Sequence, residues 1–298
     1  MYPIAILIGG PTAAKKTQLA FDIQSRIPSI IINSDSMQVY SDLKTLTNIP
    51  AKIDLEKHSC NLFEFINYPQ KCNVGFWLKK VKEVLLDKKD KIPIFVGGTG
   101  LYLESLEKTI SPIPKVSKKI DRKIKVLHQK YGNAYFFKKL KKYDPLYSQK
   151  ISENDTQRLL RAVSVKVSTG KNFTFWHGVN AKKIFKKIVY ISLVVERDKL
   201  YESINKRCLE ILKSNVIDEV YEFQKKKKHI DHPLHKSIGF KVIEDYINNK
   251  YSFDESLEMF QIETRRYAKR QMTWFRNRSK ESLKMKFEDA RDYLLKNF

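Results

Sequence analysis

Ile4-Ala5-Ile6-Leu7-Ile8-Gly9-Gly10-Pro11-Thr12-Ala13-Ala14-Lys15-Lys16-Thr17-Gln18-Leu19-Ala20-Phe21-Asp22-Ile23 is the stretch from which the rest of the chain is read. Ile4 to Ile8 form a short, wholly apolar segment with the character of a buried strand. Gly9 to Thr17 read as a turn, and the residues from Gln18 onward as the start of an amphipathic helix. Strand, glycine turn, Lys-Thr pair and helix is the order that builds a phosphate cradle. Loop amides and the helix N-terminus point at an anion, and a lysine adds a full positive charge. The P-loop pattern places glycine directly before the Lys-Thr pair, where this chain has Lys15. A plain strand-to-helix turn is the other reading of the same residues.

Two further apolar segments support a layered α/β fold. Ser29-Ile30-Ile31-Ile32-Asn33 reads as a second buried strand and runs into Ser34-Asp35-Ser36-Met37-Gln38-Val39-Tyr40. Ile92-Pro93-Ile94-Phe95-Val96 reads as a third, followed by Gly97-Gly98-Thr99-Gly100-Leu101-Tyr102, a second glycine turn opening a helix. Between them, Val74 to Asp87 has helical spacing. Ligands of open α/β sheets bind beyond the carboxyl ends of the strands, so Asp35 is expected near the mouth of the cleft that holds the first glycine turn. A helix N-cap is an alternative role for it. The spacing predicts an α/β core with a parallel sheet flanked by helices.

From about Ser111 the texture changes. Residues 115 to 170 are lysine-rich and helical in pattern, with Asp144-Pro145 marking a turn. Asn154-Asp155 is placed to cap a helix from Thr156 to about Val167, and Thr169-Gly170 to end it. Arg158 and Arg161, three apart, lie on one side of that helix. Strand character returns at Ile188 to Val195, so the core is expected to resume after a small all-α insertion domain. The expected organisation is a core of residues 1–114 and 187–298 and an insertion of 115–186. Late in the chain, Glu263 to Arg276 interleaves Arg265, Arg266, Lys269, Arg270 and Arg276 with Tyr267 and Trp274. Cations beside aromatics suit RNA phosphates and unpaired bases. A basic amphipathic helix with its aromatics turned to the core is the alternative.

Composition narrows the function classes. Of 298 residues, 42% are hydrophobic and 12% aromatic, which argues for a folded protein. No apolar run reaches the roughly 18 residues of a membrane span, and Met1-Tyr2-Pro3 offers no basic region of a signal peptide; a cytoplasmic protein is expected. Cys60, Cys72 and Cys208 form no CxxC pair and read as reduced thiols. Lys plus Arg number 57 against 33 acidic residues, a net charge of +24. Such an excess favours nucleic acid first and membrane surfaces second, although runs such as Lys225 to Lys228 also read as a solvated surface.

Taken in order, these motifs resemble those of the tRNA dimethylallyltransferase (tRNA isopentenyltransferase) family. They are Gly10 to Ala13 with Lys16-Thr17, Asp35-Ser36 with Gln38 to Tyr40, Val96 to Tyr102, and Ser111 to Pro114. Asp144-Pro145, Asn154-Asp155, Gln157-Arg158 and Arg161-Ala162 follow, then Arg197-Asp198 with Leu200-Tyr201, Ile238 to Lys241, and Thr264 to Arg276. The resemblance implies a P-loop NTPase-like core and the transfer of a dimethylallyl group from dimethylallyl diphosphate. The acceptor is the N6 amine of the adenosine 3′-adjacent to the anticodon (adenosine 37) of tRNAs reading codons that begin with U; the products are N6-dimethylallyladenosine and pyrophosphate.

Residue by residue, the resemblance implies a diphosphate site at Gly10, Pro11, Thr12, Ala13, Ala14, Lys15, Lys16 and Thr17; diphosphate chemistry adds Mg2+, held near Thr17. It implies catalytic roles for Asp35 (proton acceptor), Thr99 and Arg197. The tRNA anticodon stem-loop would meet Asp35, Ser36, Met37, Gln38 and Thr99 of the core and Gln157, Arg158, Leu159, Leu160 and Arg161 of the insertion. It would also meet Lys236, Ser237, Ile238, Gly239, Phe240 and Lys241, and then Lys269, Arg270, Gln271, Met272, Thr273, Trp274, Phe275 and Arg276. A monomer is expected.

Several positions depart from the family pattern. Besides Lys15, Ala14 replaces a serine, and Met37 stands where arginine is usual. Leu46 to Pro50 lacks a lysine, Cys60-Asn61 occupies the place of paired histidines, and Ser164 replaces a glutamate. A weakened tRNA-binding homologue and a P-loop nucleotide kinase or NTPase are the rival expectations.

Overall fold

The computed structural model describes residues 1–179, 182–226 and 232–298; Lys227 and Lys228 lie outside them. Six strands, β1 (Tyr2–Gly9), β2 (Ser29–Asn33), β3 (Cys60–Asn61), β4 (Ile92–Val96), β5 (Phe185–Leu193) and β6 (Leu283–Met285), form one sheet. Their order is β3-β2-β4-β1-β5-β6, and every pairing is parallel. The central strands are apolar without alternation because helices cover both faces; Ala5 to Ile8 and Ile30 to Ile32 are fully buried.

The helices in chain order are α1 (Lys16–Gln24), α2 (Lys52–Lys57), α3 (Val74–Asp87), α4 (Gly100–Glu107), α5 (Lys118–Tyr143), α6 (Pro145–Ser148), α7 (Thr156–Thr169) and α8 (Phe173–His177). Then come α9 (Arg197–Leu212), α10 (Val216–Lys226), α11 (Phe240–Ile247), α12 (Phe253–Arg278) and α13 (Phe287–Asn297). No described helix is long and apolar enough to cross a membrane.

Register brings the two glycine turns together. Ile8 pairs with both Val96 and Ile191, and Asn33 pairs with Val96. The residues that follow β1, β2 and β4 therefore leave the sheet side by side, at its carboxyl edge. Gly97 sits so close to the Ser34 backbone that a Cβ there would lie 2.2 Å from the Ser34 carbonyl carbon.

The chain divides into two compact units, residues 1–108 with 183–298, and residues 109–182. The second is all-helical around Ile124, Phe136, Leu140, Leu159, Ala162 and Val163. Its α5 is broken at Gly132, whose φ of 69° and ψ of −177° are not helical. As the spacing predicts, the Asp155 carboxylate caps α7 and Gly170 ends it in a left-handed conformation.

Four elements differ from the sequence-based expectation or are not expected from it. β5 starts at Phe185 and stops at Leu193, because Phe185 packs on Phe95 and Tyr2 while Val194 lies exposed beyond the sheet. The short β3 and β6 carry almost no local signal; each is fixed by pairing, Cys60 with Ile31 and Leu283 with Ile191. α13 completes the layer beside α1 by burying Ala290 and Leu294.

Candidate active site

The first glycine turn closes into a compact loop. Gly10 has a φ of 142°, and a Cβ there would lie 3.0 Å from the Leu193 carbonyl oxygen. Ala13 and Lys15 also take positive φ, 63° and 56°. Lys15 immediately precedes α1 in the left-handed region with its side chain exposed, which strains a residue carrying a Cβ. Lys16 folds its ammonium back over the loop and donates to the Pro11 carbonyl at 2.6 Å. Loss of solvent lowers its pKa to about 8, with the Asp35 charge opposing and the Arg207 charge reinforcing the shift. Thr17, on the first turn of α1, faces the same space.

That space is a cavity of about 560 Å³. Its walls come from Thr12 to Gln18, Asp35 to Gln38, Leu46 to Asn48 with Pro50, Val96 to Gly98, one face of α9 and one face of α12. The phosphate-loop residues and Asp35 thus share one chamber. The Asp35 carboxylate accepts from the Met37 backbone N–H at 2.9 Å, closing a local turn rather than capping a helix. The Asp35 N–H in turn donates to Asn33 Oδ1 at 2.8 Å, and Asn33 donates to the carbonyls of Asp35 and Leu62. The base of β2 therefore holds the carboxylate in place. The Thr99 hydroxyl accepts from the Ser36 N–H at 2.9 Å and donates to Ser36 Oγ at 3.1 Å. It anchors the loop that carries Asp35 and does not itself line the cavity.

Arg197 is not among the residues that line the cavity. It is the first residue of α9, exposed, with its guanidinium 5.1 Å from the Tyr201 ring centre. Ten positions later, about 15 Å along the helix, Arg207 lines the cavity and donates to Thr12 Oγ1 at 3.0 Å. Burial lowers the Arg207 pKa. Sequence reading missed it because a single arginine in an ordinary helical pattern gives no local cue; only the packing of α9 beside the loop singles it out.

α12 has two faces. Thr264, Ala268, Gln271 and Phe275 are buried, whereas Arg266, Lys269, Arg270, Met272, Thr273 and Arg276 are exposed. Gln271 accepts from the Thr12 N–H at 2.8 Å and donates to the Gly98 carbonyl at 3.0 Å. Phe275 packs on Gly9 and Trp274 on Gly100. Gln271, which also lines the cavity, and Phe275 therefore lie on the inward face of α12.

The other expected tRNA contacts differ in burial and partners. Leu159 is fully buried in the core of the helical unit, leaving Gln157, Arg158 and Arg161 exposed on α7. Gln38 spends its amide N–H groups on the Thr47 and Asn48 carbonyls. Lys236, Ser237 and Ile238 line the cavity, Phe240 is buried, and Lys241 pairs with Glu244 and Asp245. Gly239 takes a φ of 82° with its N–H on Glu263. Met37, half-buried, lines the cavity. The segment from Leu43 to Pro50 is held from outside: the Glu219 carboxylate accepts from the Thr45 and Leu46 N–H groups at 2.9 and 3.0 Å.

Among the described residues no group of three or more His, Cys, Asp or Glu is placed to hold a metal ion. Mg2+ at phosphates needs no such cage, because it binds through one or two protein oxygens, phosphate oxygens and water. Thr17 and Asp35, both lining the cavity, supply oxygens of that kind.

A parallel sheet of this order, with a glycine loop at its carboxyl edge and a charged cavity beyond, defines a P-loop-like α/β protein. A family model described as IPP transferase matches residues 38–278, and the chain belongs to that family. It is 39% identical over 286 residues to the tRNA dimethylallyltransferase of Pelagibacter ubique, covering 94% of this chain and 90% of that protein. It is 35% identical over 296 residues to the tRNA dimethylallyltransferase of Rickettsia conorii, covering 97% and 80%. The crystal structure of a tRNA isopentenylpyrophosphate transferase from Bacillus halodurans superposes with a TM-score of 0.71 at 24% identity, covering 99% of this chain and 95% of that one. A eukaryotic dimethylallyltransferase acting on tRNA gives 0.84 at 23% identity, covering 98% and 75%. The two structures share the fold.

Proposed function

We propose that the protein transfers a dimethylallyl group from dimethylallyl diphosphate to N6 of the adenosine 3′-adjacent to the anticodon, adenosine 37, of tRNAs reading codons that begin with U. The reading is carried by one observation: the glycine loop with Lys16 and Arg207, and the fixed carboxylate of Asp35, line the same cavity. In the reaction the C1–O bond of the donor breaks and a bond from N6 to C1 forms. Pyrophosphate leaves with the electron pair, and the N6 proton passes to Asp35. Lys16, Arg207 and the loop amides stabilise the charge that develops on the departing oxygens, the role of an oxyanion hole. Asp35, held by Asn33 and Met37 N–H, is pre-positioned as general base for a weakly nucleophilic amine. Mg2+, held through Thr17, supplies further neutralisation of the diphosphate when bound.

The target base must leave the anticodon loop to reach an enclosed donor. Arg158 and Arg161 on one unit, and Lys269, Arg270 and Arg276 on the other, supply exposed cations for the anticodon stem-loop, and Gln157 an exposed amide. A net charge of +24 suits that partner and predicts steep salt dependence. The protein acts in the cytoplasm as a monomer.

The test is transfer of labelled dimethylallyl diphosphate to an anticodon stem-loop, with free AMP as the competing acceptor. Asp35→Asn should abolish transfer while stem-loop binding stays within about twofold. Turnover of ATP without turnover of the allylic donor overturns the reading.

A further inference from the structure

Outside the cavity, the helical unit carries a stacked aromatic pair that the transfer chemistry does not use. Tyr131 and Tyr135 lie with ring centres 4.6 Å apart and planes 25° from parallel. Both are exposed, 44% and 38%. Lys130 Nζ is 5.3 Å from the Tyr131 ring centre and Lys139 Nζ 4.6 Å from that of Tyr135. Two large rings left in water have a cost that burial would have removed. Phe136, the neighbour of Tyr135, is buried, so the helix has an inward face and the tyrosines occupy the other one.

The placement is built rather than incidental. Gly132 breaks α5 between the two tyrosines. The break is pinned by Asn133, which exchanges hydrogen bonds with the Thr156 hydroxyl at 3.0 and 3.1 Å, while His128 Nε2 lies 2.6 Å from Asn133 Oδ1. Thr156 is the first residue of α7. The tyrosine pair is therefore locked to the helix end that bears Gln157, Arg158 and Arg161. Charge names the partner. Residues 109 to 182 hold seventeen lysines and arginines against four acidic residues. Of those four, Asp144 is buried and Asp155 pairs with Arg158.

We infer that Tyr131 and Tyr135, flanked by Lys130 and Lys139, form a stacking platform for an unpaired RNA base, continuous with the Arg158–Arg161 contact. Each outward ring face carries an ammonium group, Lys130 over Tyr131 and Lys139 over Tyr135; a base that displaces one of these flexible side chains extends the tyrosine stack, and the freed ammonium meets the adjoining phosphate. This rests on the proposed tRNA substrate and adds a second recognition element to it.

The test uses the full-length protein with fluorescently labelled anticodon stem-loop, single-stranded RNA and duplex RNA of equal length. Tyr131→Ala/Tyr135→Ala should weaken stem-loop and single-stranded binding between about fivefold and about a hundredfold, the range of one lost base stack. Duplex affinity and the KM for dimethylallyl diphosphate should not move. Tyr131→Phe/Tyr135→Phe, which keeps the ring faces, should restore binding. Equal loss on duplex and single strand, or unchanged affinity for both, overturns the platform. So does binding to anionic lipid vesicles that the alanine variant loses while its RNA affinity holds. If the wild-type protein transfers no dimethylallyl group, the proposed activity fails, and the single-strand and duplex measurements still decide the platform.

Discussion

The side-chain amide of Gln271 accepts the backbone N–H of Thr12 at 2.8 Å, and through its other end donates to the Gly98 carbonyl at 3.0 Å. One buried residue of α12 thereby joins the two glycine turns. Gln271→Leu leaves a loop donor and a turn acceptor without partners, at about 1–3 kcal/mol each. The expected result is a melting temperature several degrees lower and a donor KM raised about tenfold. Differential scanning calorimetry and steady-state kinetics measure both. A variant as stable as wild type with unchanged donor KM would show that the bridge is dispensable.

Arg207 and Arg197 should separate cleanly. Arg207 donates to Thr12 inside the cavity, while Arg197 stacks on Tyr201 at the surface. Removing one donor to developing oxyanion charge costs about 10²–10³ in rate, so Arg207→Ala should lower kcat/KM by about that factor. Arg197→Ala should stay within about threefold. The reverse ranking would return the diphosphate role to Arg197.

Much of this was legible in the sequence because it is local. Continuous apolar runs announce β1, β2 and β4, and the glycines after β1 and β4 announce the turns; Asp155 and Gly170 bound α7. What stayed hidden depends on contacts distant in sequence. Arg207 and Gln271 reach Thr12 across 195 and 259 residues, and nothing near either residue signals that reach. The aromatic and basic stretch around Trp274 reads equally as an RNA surface or as an amphipathic helix with its aromatics inward, and only the packing of α12 sorts its residues between core and solvent. Gln271 and Phe275 fell on the core side, and Lys269 and Arg270 on the other. β3 and β6, two and three residues long, exist only as pairings with β2 and β5.

The pH dependence of donor binding should follow Lys16. Burial lowers its pKa to about 8, and the ammonium is the form that binds an anion. Below pH 8 the charge is present and donor affinity should be flat. Above it the folded protein loses the proton that a bound diphosphate would retain, and affinity should fall by up to tenfold per pH unit. Without ligand the linkage runs the other way. A lysine titrating lower in the folded chain than in the unfolded one adds stability as pH rises from about 8 towards 10.5. Titration calorimetry at pH 7 and pH 9 should show about a tenfold difference, removed in Lys16→Arg. Equal affinities at the two pH values in the wild type would take Lys16 out of the diphosphate contact.

Lys15 tests whether the loop is strained. Its backbone sits at φ 56° and ψ 25°, immediately before α1, with no hydrogen bond from its side chain to the helix start. A left-handed conformation costs a residue with a Cβ roughly 1–2 kcal/mol, and glycine escapes that cost but loses more chain entropy on folding. Lys15→Gly should therefore gain about 0.5–1 kcal/mol in denaturant unfolding. Because the Lys15 ammonium is exposed, its pull on a bound diphosphate is screened. The relaxed loop should hold the donor as well as the wild type or better. If instead the variant binds dimethylallyl diphosphate several-fold more weakly at equal or greater stability, the lysine is there as a second cation for the diphosphate, and the strain is the consequence of keeping it.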